Sequence, residues 1–307
     1  MANLMKTFEK FLLSLLLVLG SCGKPQEKTS SFNYQDDEAA ISADLSERDI
    51  WGATQSFKLG DVGQDPQVFE KYGVGISQYI RIKEVSENSN VKNVKYGATT
   101  CTASLLEDGH VITAAHCMPK AVLDGSTSCR NLVFLHKKAQ KPYRCESILW
   151  YSPVYRNTGS AKVTNSYAVS ADLAIFKLSQ KPKDLKAMKL SVHAALDSMR
   201  LNPLLYTPEK SSTESRMLFN DSKLCRLKDS ARYGYAFRVV DQEFVQGNSG
   251  SPIINENEEI QFIISSIFKG KGESFVVDVS CLGKRGSEYF WKSSCEQRGP
   301  LFFKNNL

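Results

Sequence analysis

Beyond Ile50 the apolar residues of this chain fall in short runs, rich in Ile, Val and Phe, broken by Gly, Asn, Asp, Ser and Pro, with little sustained 3.6-residue periodicity. β-Branched and aromatic side chains suit pleated strands, and the intervening residues are those that make turns. Such punctuation leaves no long amphipathic faces for a helical bundle, so an all-β domain is expected. Val111–Ala114, Leu132–Leu135, Leu173–Leu178, Ile260–Ile267 and Phe275–Val279 are read as strands, and Leu185–Met199 as the one helix. At 42% hydrophobic and 23% charged over 307 residues there is ample material for a core, which excludes a disordered tail or a fibre.

The formal charge of +6 arises from 39 Lys and Arg against 33 Asp and Glu, without a basic block or an aromatic-interleaved basic stripe. No nucleic-acid partner is expected. None of the eight cysteines forms a Cys-x-x-Cys pair, which argues against a zinc ribbon or a thioredoxin-type motif and for dispersed disulfides in an oxidising compartment. No metal-ligand spacing and no cofactor motif is found, so neither is expected.

Lys6 and Lys10 precede an apolar run from Phe11 to Gly20, about half the roughly 20 residues a membrane span needs. Residues 1–21 therefore read as an export signal. The run ends Leu19-Gly20-Ser21-Cys22, which resembles the bacterial lipobox, where the cysteine is acylated and anchors the protein to a membrane. The alternative is a simple signal peptide with Cys22 a bystander. Residues 22–49 are polar, with three basic against seven acidic side chains, and read as a tether or pro-segment ahead of a domain at 50–307.

Chemistry concentrates in three islands. In the first, Cys101-Thr-Ala-Ser-Leu-Leu is followed by Val111-Ile-Thr-Ala-Ala-His116-Cys117, so a strand delivers a histidine with a cysteine beside it. A Cys101–Cys117 disulfide closing that loop would contribute roughly 3 kcal/mol and fix the backbone presenting His116. The second island places Asp172 immediately before an apolar strand, in Ser170-Ala171-Asp172-Leu173-Ala174. The third, Gln246-Gly247-Asn248-Ser249-Gly250-Ser251-Pro252, sets a serine between glycines, where positive φ lets the Gly247 and Ser249 amides converge. Taken singly, these are a structural histidine, a turn aspartate and a hairpin turn.

In that order, with 56 residues from His116 to Asp172 and 77 from Asp172 to Ser249, they resemble the chymotrypsin-like (trypsin-like) serine peptidases. The resemblance covers roughly residues 91–270. It implies two packed six-stranded antiparallel β-barrels with the site in the cleft between them. It also implies His116 as general base, Asp172 as its orienter, Ser249 as nucleophile, and the Gly247 and Ser249 amides as oxyanion hole. The partners implied are protein or peptide substrates of a monomeric enzyme.

Asn248 stands where members activated by cleavage carry Asp, and Gly-Asn-Ser-Gly-Ser-Pro is similar to the bacterial glutamyl endopeptidase branch. Arg48-Asp49-Ile50-Trp51-Gly52 looks like the point where those mature chains begin, which places processing near Ile50 and release of the domain from its anchor. No histidine occurs in Phe262–Ile267, where that branch selects glutamate. Glu243 at the pocket base would select Lys or Arg; Phe244 would instead leave room for small side chains; Ser265 is read as a further residue of that pocket. Both options stay open. Cys129–Cys145 and Cys281–Cys295 are paired by proximity, leaving Cys225 without an assigned partner. The alternative function is an inactive member of this fold serving as a binding protein or adhesin.

Overall fold

The computed structural model describes residues 44–55, 57–61, 72–88, 91–139, 141–152, 171–194, 200–208, 215–220, 226–228, 237–240, 244–245, 247–268 and 273–296. All belong to the second of the two units into which the chain divides, Met1–Ser31 and Phe32–Leu307. Cys22, Cys225 and Glu243, and the readings placed on them, lie outside the described residues.

Helix α1 (Glu47–Gln55) starts at a capping box. Asp49 N–H donates to Ser46 Oγ at 3.1 Å, and the Ser46 hydroxyl and N–H donate to Asp49 Oδ2 at 2.6 and 3.2 Å. The helix is docked on its neighbours through Leu45 and Ile50, which share a buried cluster with Ile80 and Val133. The Leu45 N–H donates to Asn131 Oδ1, Arg144 Nη2 donates to the Leu45 carbonyl, and the Tyr96 hydroxyl donates to Asp49. The boundary expected between residues 49 and 50 falls inside this helix, where Ile50 is 1% exposed.

After β1 (Phe57–Asp61) six strands close a barrel: β2 (Val74–Asn88), β3 (Val91–Leu105), β4 (His110–Thr113), β5 (Leu132–Leu135), β6 (Tyr143–Tyr151) and β7 (Ala174–Leu178), in the order β2-β3-β4-β7-β6-β5. Strands β4, β5 and β7 are mostly apolar, with His110, Thr113 and Lys177 the exceptions, because nearly every residue in them is buried. Strands β2 and β3 form a long hairpin whose backbone register places position 84 opposite 95 and position 87 opposite 92.

The later strands are β8 (Asn202–Pro203), β9 (Leu205–Pro208), β10 (Ser215–Asn220), β11 (Arg226–Lys228), β12 (Phe237–Val240), β13 (Pro252–Ile254), β14 (Ile260–Phe268) and β15 (Glu273–Asp278). Six of them form a sheet in the order β11-β12-β15-β14-β13-β8, while β9 and β10 join β1 in a three-stranded sheet. The all-β expectation therefore holds, with six strands in each half. The first set closes, and the second is an open sheet among the described residues.

The helix expected over Leu185–Met199 does not form in its described part, residues 185–194. Met188 and Leu190 bridge instead to Leu106 and Ile260, one in each half. Met188 N–H donates to the Leu105 carbonyl and Ile260 N–H to the Lys189 carbonyl, so edge pairing with two sheets outweighs local helix propensity.

A last hairpin, β16 (Leu282–Arg285) and β17 (Glu288–Trp291), packs against the first barrel. The Tyr289 hydroxyl meets His110 Nδ1 at 2.8 Å, and Trp291 stacks on Trp150 with ring centroids 6.1 Å apart. Tyr289 belongs to one buried cluster with Ile76, Ile112 and Ile175 of the barrel and Ile254, Ile263 and Val277 of the sheet. The two halves thus share a core. Disulfides join Cys101 to Cys117, Cys129 to Cys145 and Cys281 to Cys295. Among the described residues no helix is long and apolar enough to cross a membrane.

Candidate active site

Strand register brings the first two site residues together. Strands β4 and β7 are antiparallel with Thr113 opposite Ala174, so the chain just beyond β4 lies beside the chain just before β7. His116 occupies the first position, in the short 3₁₀ turn Ala115–Cys117, and Asp172 the second. The Cys101–Cys117 bond ties that turn to β3. His116 Nδ1 meets Asp172 Oδ2 at 2.5 Å, and the His116 backbone N–H donates to Asp172 Oδ1 at 2.9 Å.

Asp172 is 1% exposed. A buried carboxylate requires compensating donors, and a third arrives from β14, where the Ser265 hydroxyl donates to Oδ2 at 2.6 Å. The carbonyl of the same Ser265 accepts from Ser249 Oγ at 3.4 Å. Ser265, expected in the substrate pocket, is thus placed with its hydroxyl on Asp172 and its carbonyl on Ser249, and it links the first barrel's pair to the serine of the second half. Sequence spacing held no signal for this contact, which depends on how β14 packs across 93 residues of chain.

Ser249 sits on a turn whose backbone groups can be followed one by one. The Gly247 carbonyl accepts from Thr102 N–H at 3.2 Å and Thr102 Oγ1 at 3.0 Å. Asn248 N–H donates to the Val245 carbonyl, the Asn248 carbonyl accepts from Ser251 N–H, and the Ser249 carbonyl accepts from Thr102 N–H at 2.9 Å. The Asn248 side chain closes the turn, accepting from Val245 N–H and donating to the Tyr206 carbonyl, both at 2.7 Å. Among the described residues the N–H groups of Gly247 and Ser249 donate to no protein acceptor. Gly247 holds φ +101° and Gly250 φ +82°, a region open to glycine. Space matters as much at Gly250, where a Cβ would lie 2.1 Å from the Thr102 carbonyl oxygen and 2.2 Å from Thr113 Oγ1.

The His116 ring, 22% exposed, is pulled two ways. Burial disfavours its cationic form, but the charge and hydrogen bond of Asp172 outweigh burial and hold the imidazole above its ordinary 6.5. The Cys101 and Cys117 sulfurs approach the ring, with ligand atoms of the three residues within 4.8 Å of one another. Both sulfurs are spent in the disulfide, so no thiolate is left to hold a metal. Phe244 is buried in a cluster with Leu201, Leu205, Ile253, Phe262, Ile264 and Val276, as part of the second half's core.

A family model described as Trypsin matches residues 80–281. No curated protein matches the sequence. Among solved structures, the chain is similar to the thermostable serine protease AL20 from an extremophilic microorganism, at 14% identity over 78% of this chain and 100% of that one, with a TM-score of 0.47. The scabies mite inactivated protease paralogue S-I1 is similar at 16% identity over 73% and 94%, with a TM-score of 0.48. Human heparin binding protein is similar at 13% identity over 73% and 92%, with a TM-score of 0.47.

Proposed function

We propose that this chain, which belongs to the trypsin family, is a serine endopeptidase that cleaves peptide bonds through an acyl-enzyme on Ser249. The observation that carries this reading is Ser265, whose two polar groups meet Asp172 and Ser249 and so tie the His116–Asp172 pair to the serine. A serine hydroxyl attacks a carbonyl only when a neighbouring base takes its proton. His116 Nε2 accepts that proton as the Oγ–carbon bond forms, and returns it to the leaving amine as the peptide C–N bond breaks. Water then repeats the sequence on the ester. Asp172, holding Nδ1, fixes the tautomer and stabilises the imidazolium. The Gly247 and Ser249 N–H groups receive the oxyanion, and because every other backbone polar group from the Gly247 carbonyl to the Ser249 carbonyl is engaged, the turn presents those two donors without rearrangement.

The three disulfides support an exported protein in an oxidising compartment. The Gly-Asn-Ser-Gly-Ser-Pro turn favours the glutamyl endopeptidase branch by likeness alone, and the absence of a histidine in Phe262–Ile267 leaves glutamate selection without a residue to perform it. The test is labelling by a fluorophosphonate probe, which esterifies an activated serine. The protein is expected to label, and Ser249→Ala to abolish it. An unlabelled wild-type protein would instead favour an inactive binding protein built on this fold.

A further inference from the structure

Thr102 lies in β3, directly after Cys101 and 145 residues before the turn it contacts, with its side chain fully buried. Its single N–H is shared between two acceptors, the carbonyls of Gly247 and Ser249. A shared proton serves neither acceptor as well as one of its own would. The Thr102 hydroxyl resolves this by donating to the Gly247 carbonyl at 3.0 Å. Thr102 is itself fixed, since its carbonyl accepts from Thr113 Oγ1 of β4 at 2.8 Å. The two carbonyls it holds flank the Ser249 amide along the chain, and the Gly247 carbonyl shares its residue with the other free amide.

We propose that Thr102 is a positioning residue for the oxyanion-binding turn, its hydroxyl orienting the Gly247 carbonyl so that the Gly247 and Ser249 amides point at one place. This rests on the serine peptidase reading above. The hydroxyl touches neither substrate nor reacting atoms and acts through the peptide geometry of Gly247. Its loss costs turnover, because the oxyanion exists only after attack, while the substrate's ground-state binding is left alone.

The test uses Thr102→Val, which is close in shape and lacks the hydroxyl, and Thr102→Ser, which restores it. Removing an oxyanion donor outright costs about 100- to 1,000-fold in turnover, so loosening one is expected to cost roughly tenfold in kcat with KM nearly unchanged. A peptidyl trifluoromethyl ketone reads the same geometry. Ser249 Oγ bonds to its carbonyl carbon, the carbonyl π pair becomes the oxyanion, and the hydroxyl proton passes to His116. Its affinity is expected to fall by the same factor in Thr102→Val, with Thr102→Ser near wild type and affinity for a non-covalent product peptide unmoved. Wild-type kcat in Thr102→Val, equal impairment of the Val and Ser variants, or a change confined to KM would each overturn the proposal. Should the Val variant fail to fold, Thr102→Ala against Thr102→Ser makes the same comparison without a buried branch. Fluorophosphonate labelling of the unaltered protein separates the two readings: no labelling there defeats the peptidase assignment, whereas labelling with kinetics indifferent to the hydroxyl defeats only the role of Thr102.

Discussion

The two halves of this molecule hold their share of the site by different means. His116 and Asp172 come from a sheet closed on itself, adjacent by strand register and fastened by the Cys101–Cys117 bond. Ser249 comes from a turn beside an open sheet, shaped by positive-φ glycines and by hydrogen bonds that Thr102 sends across from the other half. His116 and Asp172, base and orienter on the proposed reading, are thus placed redundantly, by backbone pairing and a covalent link, whereas Ser249, the proposed nucleophile, is placed by a few contacts of which each matters. Damage in the first half should appear mainly as lost stability, and damage at the turn mainly as lost turnover.

The largest expected effect sharpens that contrast. Gly250→Ala puts a methyl group within 2.1 Å of the Thr102 carbonyl oxygen, at a φ of +82° that alanine rarely adopts. The turn must shift, and kcat is expected to fall at least about 100-fold, a loss comparable to removing an oxyanion donor. Steady-state kinetics with a peptide substrate, alongside thermal melting, check it; turnover near wild type would mean the turn is not gripped as described. In the first half, the paired change Cys101→Ser with Cys117→Ser removes a link across 16 residues of sequence separation and is expected to lower stability by about 3 kcal/mol, measured by denaturant unfolding. Because register alone still pairs β4 with β7, the loss in kcat should stay below that of Gly250→Ala, and a greater loss would break the comparison.

The smallest effect near neutral pH is a pH dependence within the closed half. Burial pushes His136 down to about 4, a backbone hydrogen bond with Tyr72 partly opposing it and Lys138 adding to it. The folded state keeps this ring neutral while the unfolded chain protonates it near 6.5, so its contribution is full above pH 6.5 and is lost as pH falls toward 4. About 1 kcal/mol should go between pH 7 and pH 5.5, rising to about 3 kcal/mol below pH 4. His136→Asn, whose Oδ1 can still accept the Lys138 N–H that Nδ1 takes, should flatten that part of the stability profile seen in urea titrations.

What could be read from sequence does not divide along that line. His116, Asp172 and Ser249 stood out only together, because three local patterns, a strand end beside a cysteine, a carboxylate before an apolar strand and a serine among glycines, follow one another in the order of the resembled family. The strands β4, β5, β7, β14 and β15 were legible because each carries a short run of Ile, Val, Leu or Phe bounded by turn residues. The long β2–β3 hairpin was not, since its outer residues alternate with Lys and Glu and resemble surface loop. Helix α1 left a signal in Ser46 and Asp49, three residues apart, but it lay within a stretch read as tether. The links of Thr102 to Gly247 and Ser265 to Asp172 span 145 and 93 residues and follow from packing alone, to which no local spacing corresponds.

The β16–β17 hairpin bears on when this fold can come together during synthesis. Tyr289 and Trp291 complete a core that also needs Ile76 and Ile112, so a polypeptide made from its amino end cannot finish that core until residues 289 and 291 have followed. His116, Asp172 and Ser249 are all made well before this point, but the interior shared by the two halves is incomplete. On the peptidase reading proposed above, a growing chain is thereby expected to lack a complete cleft while its own unfolded segments are still close by.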